Sequence, residues 1–401
     1  MIAEIRRRFN STFTPEKYRH FLTHLDDRCG THIKFRNSET PCFFPKALVE
    51  QMTACGRELI EQLLTGPASA EYRRRSDATI PPEFNAPGET PQPLFVQVDF
   101  GLIRNVAGEI EPRLVEIQGF ASLYAFQAAL AEQYRESYTL DRLDPSLRFL
   151  PAGMDLDAYY ALLRRAILAG HDPENVVLME IDPFDQKTLP DFLVTQKLFG
   201  IKIVNVSDIL KQGNQLFYQH NGKSVPIRRI YNRVIVDELI RKNRALPFSF
   251  GDALDVEWAG HPNWFFRLSK FSIPFLKHPC VPKTWFLHEV DSLPADPENY
   301  VLKPLYSFAG IGVIVGPTRD DLQRIPPENR SQYILQERLS FAPVIETPCG
   351  PTQAEARIMF IWFDTLQQGP TLVRTGRGKM MGVDYNRNMD WVGSSAGFYP
   401  G

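Results

Sequence analysis

Apolar residues recur at helical spacing in the N-terminal part of the chain. The pattern is clearest in "PKALVEQMTACGRELIEQLLTG", whose closing glycine is typical of a helix end, and it predicts mostly helical structure over residues 14–75. A proline-rich segment, "IPPEFNAPGETPQP", occupies residues 80–93 and indicates a connector. We expect residues 1–93 to form a mostly helical region that ends with this connector.

Alternation with a period of two then replaces the helical pattern. The runs "LFVQVDFGLIRN" and "PRLVEIQG", separated by "VAGEIE", predict a hairpin, and residues 120–136 predict a helix. Because alternate side chains of a strand share a face, Glu116 and Gln118 lie together. A carboxylate beside an amide oxygen suits a cation, although an edge strand with a solvated face would show the same pattern.

Helical and strand patterns alternate between about residues 155 and 235. The helix "DAYYALLRRAILAG" leads to the apolar run "NVVLMEI", and a helix after "PFDQ" leads to "GIKIVNV". This βαβ rhythm predicts a parallel, Rossmann-like sheet. Helices near residues 264–276 precede five further strand-like runs, "YVLKPL", "GVIVG", "YILQERL", "EARIMFIWF" and "TLVRTGRG". The whole pattern predicts a fold that mixes α/β and α+β parts.

Composition narrows the classes of function. Lys and Arg total 45 against 47 Asp and Glu, and this formal charge of −2 argues against a nucleic-acid or membrane-surface binder. No apolar run approaches the roughly 18 residues of a membrane span, and "MIAEIRRRFNSTF" lacks the apolar core of a secretory signal. The five cysteines are dispersed without CxxC spacing, which favours a reducing compartment over a disulfide framework or a zinc site. We expect a soluble, cytoplasmic protein.

A lysine-bearing strand precedes a glycine loop in "NYVLKPLYSFAGIGVIVGP", residues 299–317. Lys303 supplies a positive charge, and the backbone amides of the loop can cradle anionic oxygens. The Walker A order GxxxxGK[ST] is absent from this segment. A glycine-bearing hairpin with a chance lysine is the alternative interpretation.

Two later strands carry polar groups that suit a nucleotide site. "QYILQERLSF" ends in Gln336 and Glu337, where backbone groups can pair with an adenine edge, although many buried strands end in charge. "QAEARIMFIWF" presents Glu355 and Arg357 on one face, either as a metal carboxylate beside a phosphate-binding cation or as an ion pair.

The C-terminal segment is basic and rich in glycine. Arg374, Arg377 and Lys379 lie within six residues of one another, and the small-residue segment "VGSSAG" follows. Such a loop suits an anionic substrate or a developing phosphoryl charge, and a frayed terminus is the alternative.

The order of these pieces resembles that of the ATP-grasp ligases. In the usual order a metal-binding E-x-N pair follows the E-x-R strand, and "VDYN", with Asp384 and Asn386, stands there. "LVEIQ" lies far upstream, which suggests a circularly permuted form. Residues 95–400 resemble the permuted eukaryotic glutathione synthetases at seven motifs in the same order. These are "VDFGLIRNVAGEIEPRLVEIQGFASL", "DPFDQKTLPDFLVTQKLFGIKIVNVSDIL", "IRRIYNRV", "RLSKF", "YVLKP", "YILQERL" and "LVRTGRGK" with "VGSSAG".

The resemblance implies an ATP-grasp nucleotide cleft built from residues 94–154 and 261–401, with residues 155–260 as a substrate domain and ATP and Mg²⁺ as cofactors. Lys303 and Arg374 would be catalytic. The metal ligands would be Glu116, Gln118 and Glu355. The nucleotide contacts would be Lys270, Lys303, Ser307, Gly310, Gly312, Gln336, Glu337, Leu339 and Glu355. The substrate contacts would be Asp99, Ser122, Arg233, Arg374, Arg377, Lys379 and Ser395. Analogy with the family suggests a homodimer.

The chain departs from the family pattern at three positions. Ser307 stands where the family has an acidic metal ligand before a fuller glycine triad, Gln118 where it has Asn, and Gln97 where it has a substrate arginine. We expect an ATP-dependent ligase that joins a small-molecule carboxylate to an amine through an acyl phosphate, with substrates other than those of glutathione synthetase. A degenerate ATP-binding protein with a regulatory or interaction role, or a small-molecule kinase, are the alternatives.

Overall fold

The computed structural model describes residues 1–307 and 310–401, so Phe308 and Ala309 of the predicted glycine loop lie outside the described residues. The helices are α1 (Ala3–Thr12), α2 (Pro15–Cys29), α3 (Lys46–Leu64), α4 (Ser69–Asp77), α5 (Tyr124–Ser137), α6 (Leu140–Leu143), α7 (Leu156–Leu168), α8 (Leu189–Phe199), α9 (Val236–Lys242), α10 (Trp264–Arg267) and α11 (Arg319–Gln323). The strands are β1 (Cys42–Phe43), β2 (Phe95–Arg104), β3 (Ile110–Gln118), β4 (Leu147–Arg148), β5 (Val176–Glu180), β6 (Lys202–Asn205), β7 (Leu210–Gln212), β8 (Gln215–His220), β9 (Lys223–Ile227), β10 (Arg229–Asn232), β11 (Glu257–Ala259), β12 (Thr284–Phe286), β13 (Tyr300–Pro304), β14 (Ile314–Val315), β15 (Tyr333–Glu337), β16 (Pro343–Ile345), β17 (Thr352–Trp362), β18 (Leu366–Gly376) and β19 (Gly393–Pro400).

The largest sheet, here called the main sheet, has the order β1-β19-β18-β17-β2-β3, with β16 paired to β17 and β4 to β19. The predicted hairpin is confirmed, because β2 and β3 pair in antiparallel fashion with Asp99 opposite Glu116 and Gln97 opposite Gln118. The predicted mostly helical N-terminal region also contributes a strand, since β1 pairs in parallel with β19.

The faces of the main sheet are built from alternate residues of each strand. On β17, Phe360 packs in the same apolar cluster as α3, whereas Met359 and Ile361 pack in the cluster of α5. Glu355 and Arg357 fall on the same face as Met359 and Ile361. The α5 face of the sheet therefore changes from apolar to charged along the strand, and the charged end carries the residues of interest.

The second sheet, with the order β11-β10-β5-β6, is parallel throughout, as the βαβ pattern predicts. Helix α8 connects β5 to β6 and carries Asp191, whose Oδ1 accepts hydrogen bonds from the backbone N–H groups of Ala125 and Phe126 at 3.1 and 3.0 Å. These N–H groups belong to the first turn of α5, where backbone N–H groups have no carbonyl partner within the helix. Asp191 thus fixes the start of α5 against the second sheet.

The third sheet, with the order β12-β15-β13-β14, is antiparallel and receives the predicted lysine strand as β13. Residues 264–276 form only the short helix α10 and a 3₁₀ turn, Lys270–Phe275, which contains Pro274. Within the described residues, no helix combines the length and the apolar character that a bilayer crossing requires.

The prediction that the segment "VGSSAG" belongs to a basic, glycine-rich loop is wrong, because most of it is part of a strand. Residues 393–400 form β19, a buried strand between β18 and β1. Glycine and serine have low strand propensity, but tertiary packing overrides it here. A Cβ at Gly397 would lie 2.9 Å from the Phe44 ring, so the small residue is needed for close packing.

Candidate functional site

Charged side chains from four adjacent strands meet on the charged end of the main sheet. Asp99 on β2 lies opposite Arg357 on β17 and opposite Glu116 on β3. Glu355 on β17 lies opposite Arg374 on β18. Directly opposed side chains of neighbouring strands point to the same side. The structure therefore brings together five residues that are far apart in the sequence.

Asp99 is the centre of this group. Its two carboxylate oxygens accept hydrogen bonds from Arg357, at 2.6 Å from Nε and 2.7 Å from Nη2, and Oδ2 also accepts one from Arg374. Burial by itself would raise the pKa of Asp99, but the two guanidinium groups outweigh it and hold this pKa below the ordinary value. Asp99 is therefore an ionised, buried carboxylate that orients both arginines.

Glu355 is the second carboxylate bound to Arg374. Burial raises the pKa of Glu355 above its usual value, and the nearby Arg374 opposes that rise only in part. The paired carboxylates in turn raise the pKa of Arg374, although burial alone would lower it. Two arginines, Arg357 and Arg374, thus face two carboxylates, Asp99 and Glu355, and Arg374 contacts both carboxylates.

Lys270 and Glu116 form an ion pair at the edge of a small cavity. Lys270 Nζ lies 3.0 Å from Glu116 Oε1 and donates a hydrogen bond of 2.6 Å to the carbonyl oxygen of Ser307. Ser269 caps the 3₁₀ turn that begins at Lys270, which fixes the base of the lysine. The cavity is lined by Glu116, Gln118, Phe120, Phe265, Leu268, Ser269, Lys270, Leu305, Tyr306 and Ser307.

Lys303 reaches from the third sheet to the main sheet. Its Nζ donates hydrogen bonds to the carbonyl oxygen of Val115 at 3.1 Å and to Gln336 Oε1 at 2.5 Å. Burial lowers the pKa of Lys303 to about 8, which is close to neutrality. The Val115 carbonyl immediately precedes Glu116, so both lysines meet β3 at the same point.

The buried polar atoms of this region that have no hydrogen-bond partner among the described residues include Tyr306 Oη and Arg374 Nε. They also include Ser307 Oγ and Gln336 Nε2. Unpaired buried polar groups are costly, and they occur where a ligand or water completes the structure. Ser307 Oγ and Gln336 Nε2 belong to residues next to the lysines, so the orphaned groups and the cations mark one place.

The remaining predicted nucleotide residues frame this place. Glu337 is exposed at the end of β15, and Leu339 is half-buried just beyond it. Gly310 and Gly312 have φ angles of +74° and +72°, a conformation that favours glycine. A Cβ at Gly310 would lie 2.9 Å from Met380 Cε, so the described part of the glycine loop contacts the C-terminal loop.

The C-terminal loop is held mainly by its own contacts. Arg377 donates hydrogen bonds to the Asp390 carbonyl and to Thr347 Oγ1, at 2.8 and 3.2 Å. Lys379 is exposed. Asn386 of "VDYN" accepts hydrogen bonds from the backbone N–H groups of residues 377 and 378, and Asp384 pairs with Lys187 at 2.7 Å. These contacts shape the loop and give Asn386 a structural part in it.

Three predicted substrate residues have different surroundings. Ser122 is beside the cluster, since its carbonyl oxygen accepts a 2.6 Å hydrogen bond from Gln97 Nε2. Arg233 is buried in an ion pair with Asp191, and Ser395 donates its hydroxyl to the Thr40 carbonyl at 2.8 Å. The contacts of Arg233 and Ser395 are internal to the fold.

Gln97 has a role that sequence reasoning missed. It accepts a 2.8 Å hydrogen bond from Arg357 Nη1 while its amide nitrogen holds the Ser122 carbonyl, so it connects β17 to the start of α5. The signal was present, because Gln97 shares a strand face with Asp99. It was considered only as a departure from a family pattern.

No family model matches the chain, and no curated protein matches it by sequence. By structure, the chain is similar to a glutathione synthetase like-effector (GSS30) from Globodera pallida, solved in its apoform. The TM-score is 0.59 and the sequence identity 13%, over 96% of this chain and 99% of the other. The chain thus has a mixed α/β fold similar to that of this glutathione synthetase like-effector, and the likeness concerns the fold alone.

Proposed function

We propose that the chain is an ATP-dependent carboxylate–amine ligase with a circularly permuted ATP-grasp cleft between the main and third sheets. The observation that carries the proposal is the convergence of Lys270 and Lys303 on β3 at Glu116. The permuted order is supported by β3, which precedes the lysine strand β13 in the chain but lies in the same sheet as β17.

The two lysines suit the phosphates of ATP. Lys303 is held by uncharged oxygens of Val115 and Gln336, and Lys270 by the Ser307 carbonyl in addition to Glu116. A phosphate oxygen is a stronger acceptor than a carbonyl or amide oxygen, because the hydrogen bond is then charge-assisted on both sides. ATP would therefore replace weak partners with strong ones.

The residues present fit Mg²⁺, which prefers oxygen ligands. Glu116 and Gln118 line the cavity next to the orphaned Ser307 Oγ, and Glu355 keeps a raised pKa that a cation would lower. Glu116, Gln118 and Glu355 would hold the ion, which would neutralise negative charge on the phosphates. With Glu116 occupied as a metal ligand, Lys270 would leave its ion pair with Glu116 and contact the phosphates of the nucleotide.

In the proposed reaction the γ-phosphoryl group passes from ATP to a substrate carboxylate, giving ADP and an acyl phosphate. An amine then attacks the acyl carbon, phosphate leaves, and the amine loses a proton to solvent. Lys303 and Arg374 stabilise negative charge on the transferring group and hold it in line. Asp99 keeps Arg374 oriented, which limits reorganisation during the reaction.

A degenerate nucleotide-binding protein is a second candidate, and two observations favour it. Arg374 is already bound to both Glu355 and Asp99, and Ser307 replaces the acidic residue that the resemblance leads us to expect. Fewer free carboxylates would hold fewer metal ions. Such a protein would bind ATP but not turn it over.

Calorimetric titration with ATP, with and without Mg²⁺, tests the proposal on the wild type and on Glu116→Gln. We expect binding that depends on Mg²⁺ and is weakened about tenfold or more in Glu116→Gln, because the variant loses the charge but keeps the shape of the ligand. Glu111→Gln, on the same strand and away from the cavity lining, is the matched control.

The second step is a screen of small acids and amines for ADP release. Release that needs both an acid and an amine supports the ligase, whereas release with an acid or alcohol alone and a stable phosphorylated product indicates a kinase. Tight ATP binding without release across the screen favours the degenerate protein. Binding that ignores Mg²⁺ and Glu116→Gln would overturn the metal-assisted cleft.

A further inference from the structure

A cluster of thiol and imidazole groups lies behind the main sheet, between α3 and the segment that leads into β12. Its members are Cys55, His278 and Cys280, and one donor atom from each lies within 4.8 Å of the others. Cys55 and Cys280 are buried, and His278 is half-buried. Because Cys55 is remote in sequence from the other two, motif spacing could not reveal this cluster.

Glu58 fixes the orientation of the imidazole. His278 Nε2 lies 2.9 Å from Glu58 Oε2, and an exposed, ionised carboxylate only accepts hydrogen bonds, so Nε2 carries the proton. Nδ1 then accepts a hydrogen bond from the backbone N–H of Cys280 at 3.1 Å and lies 3.0 Å from Cys280 Sγ, so a metal ion on Nδ1 would replace this hydrogen bond. A carboxylate that orients a histidine in this way is the usual support of a metal-binding imidazole.

Helix α3 positions residues 277–280 through hydrogen bonds that need no metal ion. Cys55, Glu58 and Gln62 are spaced at i, i+3 and i+7, so they share one face of the helix. Gln62 makes two hydrogen bonds to the backbone of Lys277, accepting from its N–H at 2.6 Å and donating to its carbonyl at 3.1 Å. The three donor groups are therefore brought together before any metal binds.

We propose that Cys55, His278 and Cys280 bind one Zn²⁺ ion, with the fourth position open to water. Two thiolates and an imidazole select a borderline-soft ion over Mg²⁺ or Ca²⁺. Bonds of about 2.3 Å to sulfur and about 2.1 Å to nitrogen place tetrahedral donors roughly 3.5–3.8 Å apart, which side-chain rotation reaches from the present spread. Each thiol gives up its proton to solvent when the metal–sulfur bond forms.

The site would brace the candidate cleft from behind. The Cys280 carbonyl accepts a 2.8 Å hydrogen bond from the backbone N–H of Leu114 on β3, two residues before Glu116. The ion would therefore connect α3 to the support of β3, and the proposal is independent of the proposed ligase chemistry.

Titration of the fully reduced protein with Co²⁺, followed by displacement with Zn²⁺, tests the site. We expect one equivalent of Co²⁺ to bind with thiolate-to-cobalt charge-transfer absorption and tetrahedral visible bands, and Zn²⁺ to remove both. Cys55→Ser and Cys280→Ser should abolish the charge-transfer absorption or shift it. Glu58→Gln should weaken binding about 10- to 100-fold, as for other residues that orient a metal ligand.

Cys349→Ser is the matched control, because Cys349 is exposed and outside the cluster. If the cysteine variants do not fold, Glu58→Gln and His278→Gln carry the test, since both residues reach solvent. Co²⁺ binding without thiolate absorption, an equal loss in Cys349→Ser, or no binding by the reduced wild type would overturn the proposal. If the reduced wild type binds no Co²⁺ and mild oxidation forms a Cys55–Cys280 disulfide, the two cysteines are a redox pair instead.

Discussion

Two buried arginine clusters in this molecule have opposite surroundings. In the first, here called the closed cluster, Arg233 pairs with Asp191 between the second sheet and α5. In the second, the open cluster, Arg357 and Arg374 surround Asp99 on the main sheet. Both contain ionised groups removed from water, so burial alone does not distinguish them.

The difference lies in what the remaining donors and acceptors contact. In the closed cluster, Asp191 also accepts the first N–H groups of α5, and the Arg233 guanidinium lies 5.0 Å from the Phe192 ring centre and 5.9 Å from that of Phe120. In the open cluster, lysines and orphaned polar atoms lie beside the carboxylates. The closed cluster also contains one unpaired buried atom, Arg233 Nε, so an unpaired atom alone does not indicate a ligand site. The candidate ligand site is distinguished by two lysines and a carboxylate beside a cavity.

The most severe test of this comparison is Asp191→Ala. It leaves Arg233 buried without a counter-charge and removes the acceptor for α5, so the free energy of unfolding should fall by about 3–5 kcal/mol. Urea denaturation measures the loss. Asp191→Asn keeps an acceptor oxygen and should lose less, and Asp191→Ala combined with Arg233→Met should recover part of the stability. A loss below about 1 kcal/mol would remove the structural interpretation of the closed cluster.

Lys303→Met tests the open cluster. Affinity for ATP with Mg²⁺ should fall about 10- to 100-fold, because a hydrogen bond to a charged group contributes about 1.5–3 kcal/mol. The free energy of unfolding should fall by about 1–3 kcal/mol, because the oxygens of Val115 and Gln336 lose their donor. Calorimetry gives the affinity, and Lys223→Met, at an exposed position at the start of β9, is the control. An unchanged affinity would show that Lys303 has only a structural function.

The pH dependence of stability has opposite signs for Glu180, next to Arg233, and for Asp99. Burial raises the pKa of Glu180, next to Arg233, to about 8 from 4.5. Above pH 4.5 the unfolded chain releases a proton that the folded chain keeps until about pH 8, so this residue lowers stability as pH rises, by up to about 1.4 kcal/mol per pH unit. Unfolding curves of Glu180→Gln should lack that slope.

Asp99 supplies the opposite case. Its pKa is lowered in the folded state, so it contributes stability above its ordinary pKa of 3.8, and that contribution is lost as the pH falls. Urea denaturation of Asp99→Asn and Glu180→Gln over one series of pH values gives the slope of the unfolding free energy against pH. If both variants changed this slope in the same direction, the opposite pKa shifts of Asp99 and Glu180 would be wrong.

The smallest expected effect is that of Ser307→Ala. Its hydroxyl has no partner among the described residues, so the free energy of unfolding should change by less than about 0.5 kcal/mol. Ser395→Ala is the matched variant and should cost about 1 kcal/mol, because Ser395 donates to the Thr40 carbonyl. If urea denaturation gave equal losses of unfolding free energy for the two variants, Ser307 would be a structural residue and would not belong to the ligand site.

The sequence was sufficient to predict which residues share a strand face. Alternation placed Glu116 with Gln118 and Glu355 with Arg357, and the strands lie where the patterns indicated. The parallel pairing of the second sheet also followed from the βαβ order. These are local properties, because the period of a strand depends only on neighbouring residues.

Partners across the sheet could not be predicted in the same way. Arg357 bonds to Asp99 from a strand more than half the chain away, and nothing in a local pattern distinguishes that pairing from a contact with Glu355. Arg233 resembled a substrate residue by motif, but its environment depends on Asp191 and α5. The buried strand β19 was missed because glycine and serine only favour a strand once neighbouring elements enclose them.

The position of β19 also has a consequence for how the molecule is made. This strand, residues 393–400, lies between β18 and β1, and β1 is Cys42–Phe43. During synthesis, β1 leaves the ribosome long before its partner strand β19 is made. Helices α1 to α3 can therefore form before the main sheet is complete. Contacts this distant in sequence slow folding and leave strand edges unpaired, so the nascent chain is a natural client for chaperones.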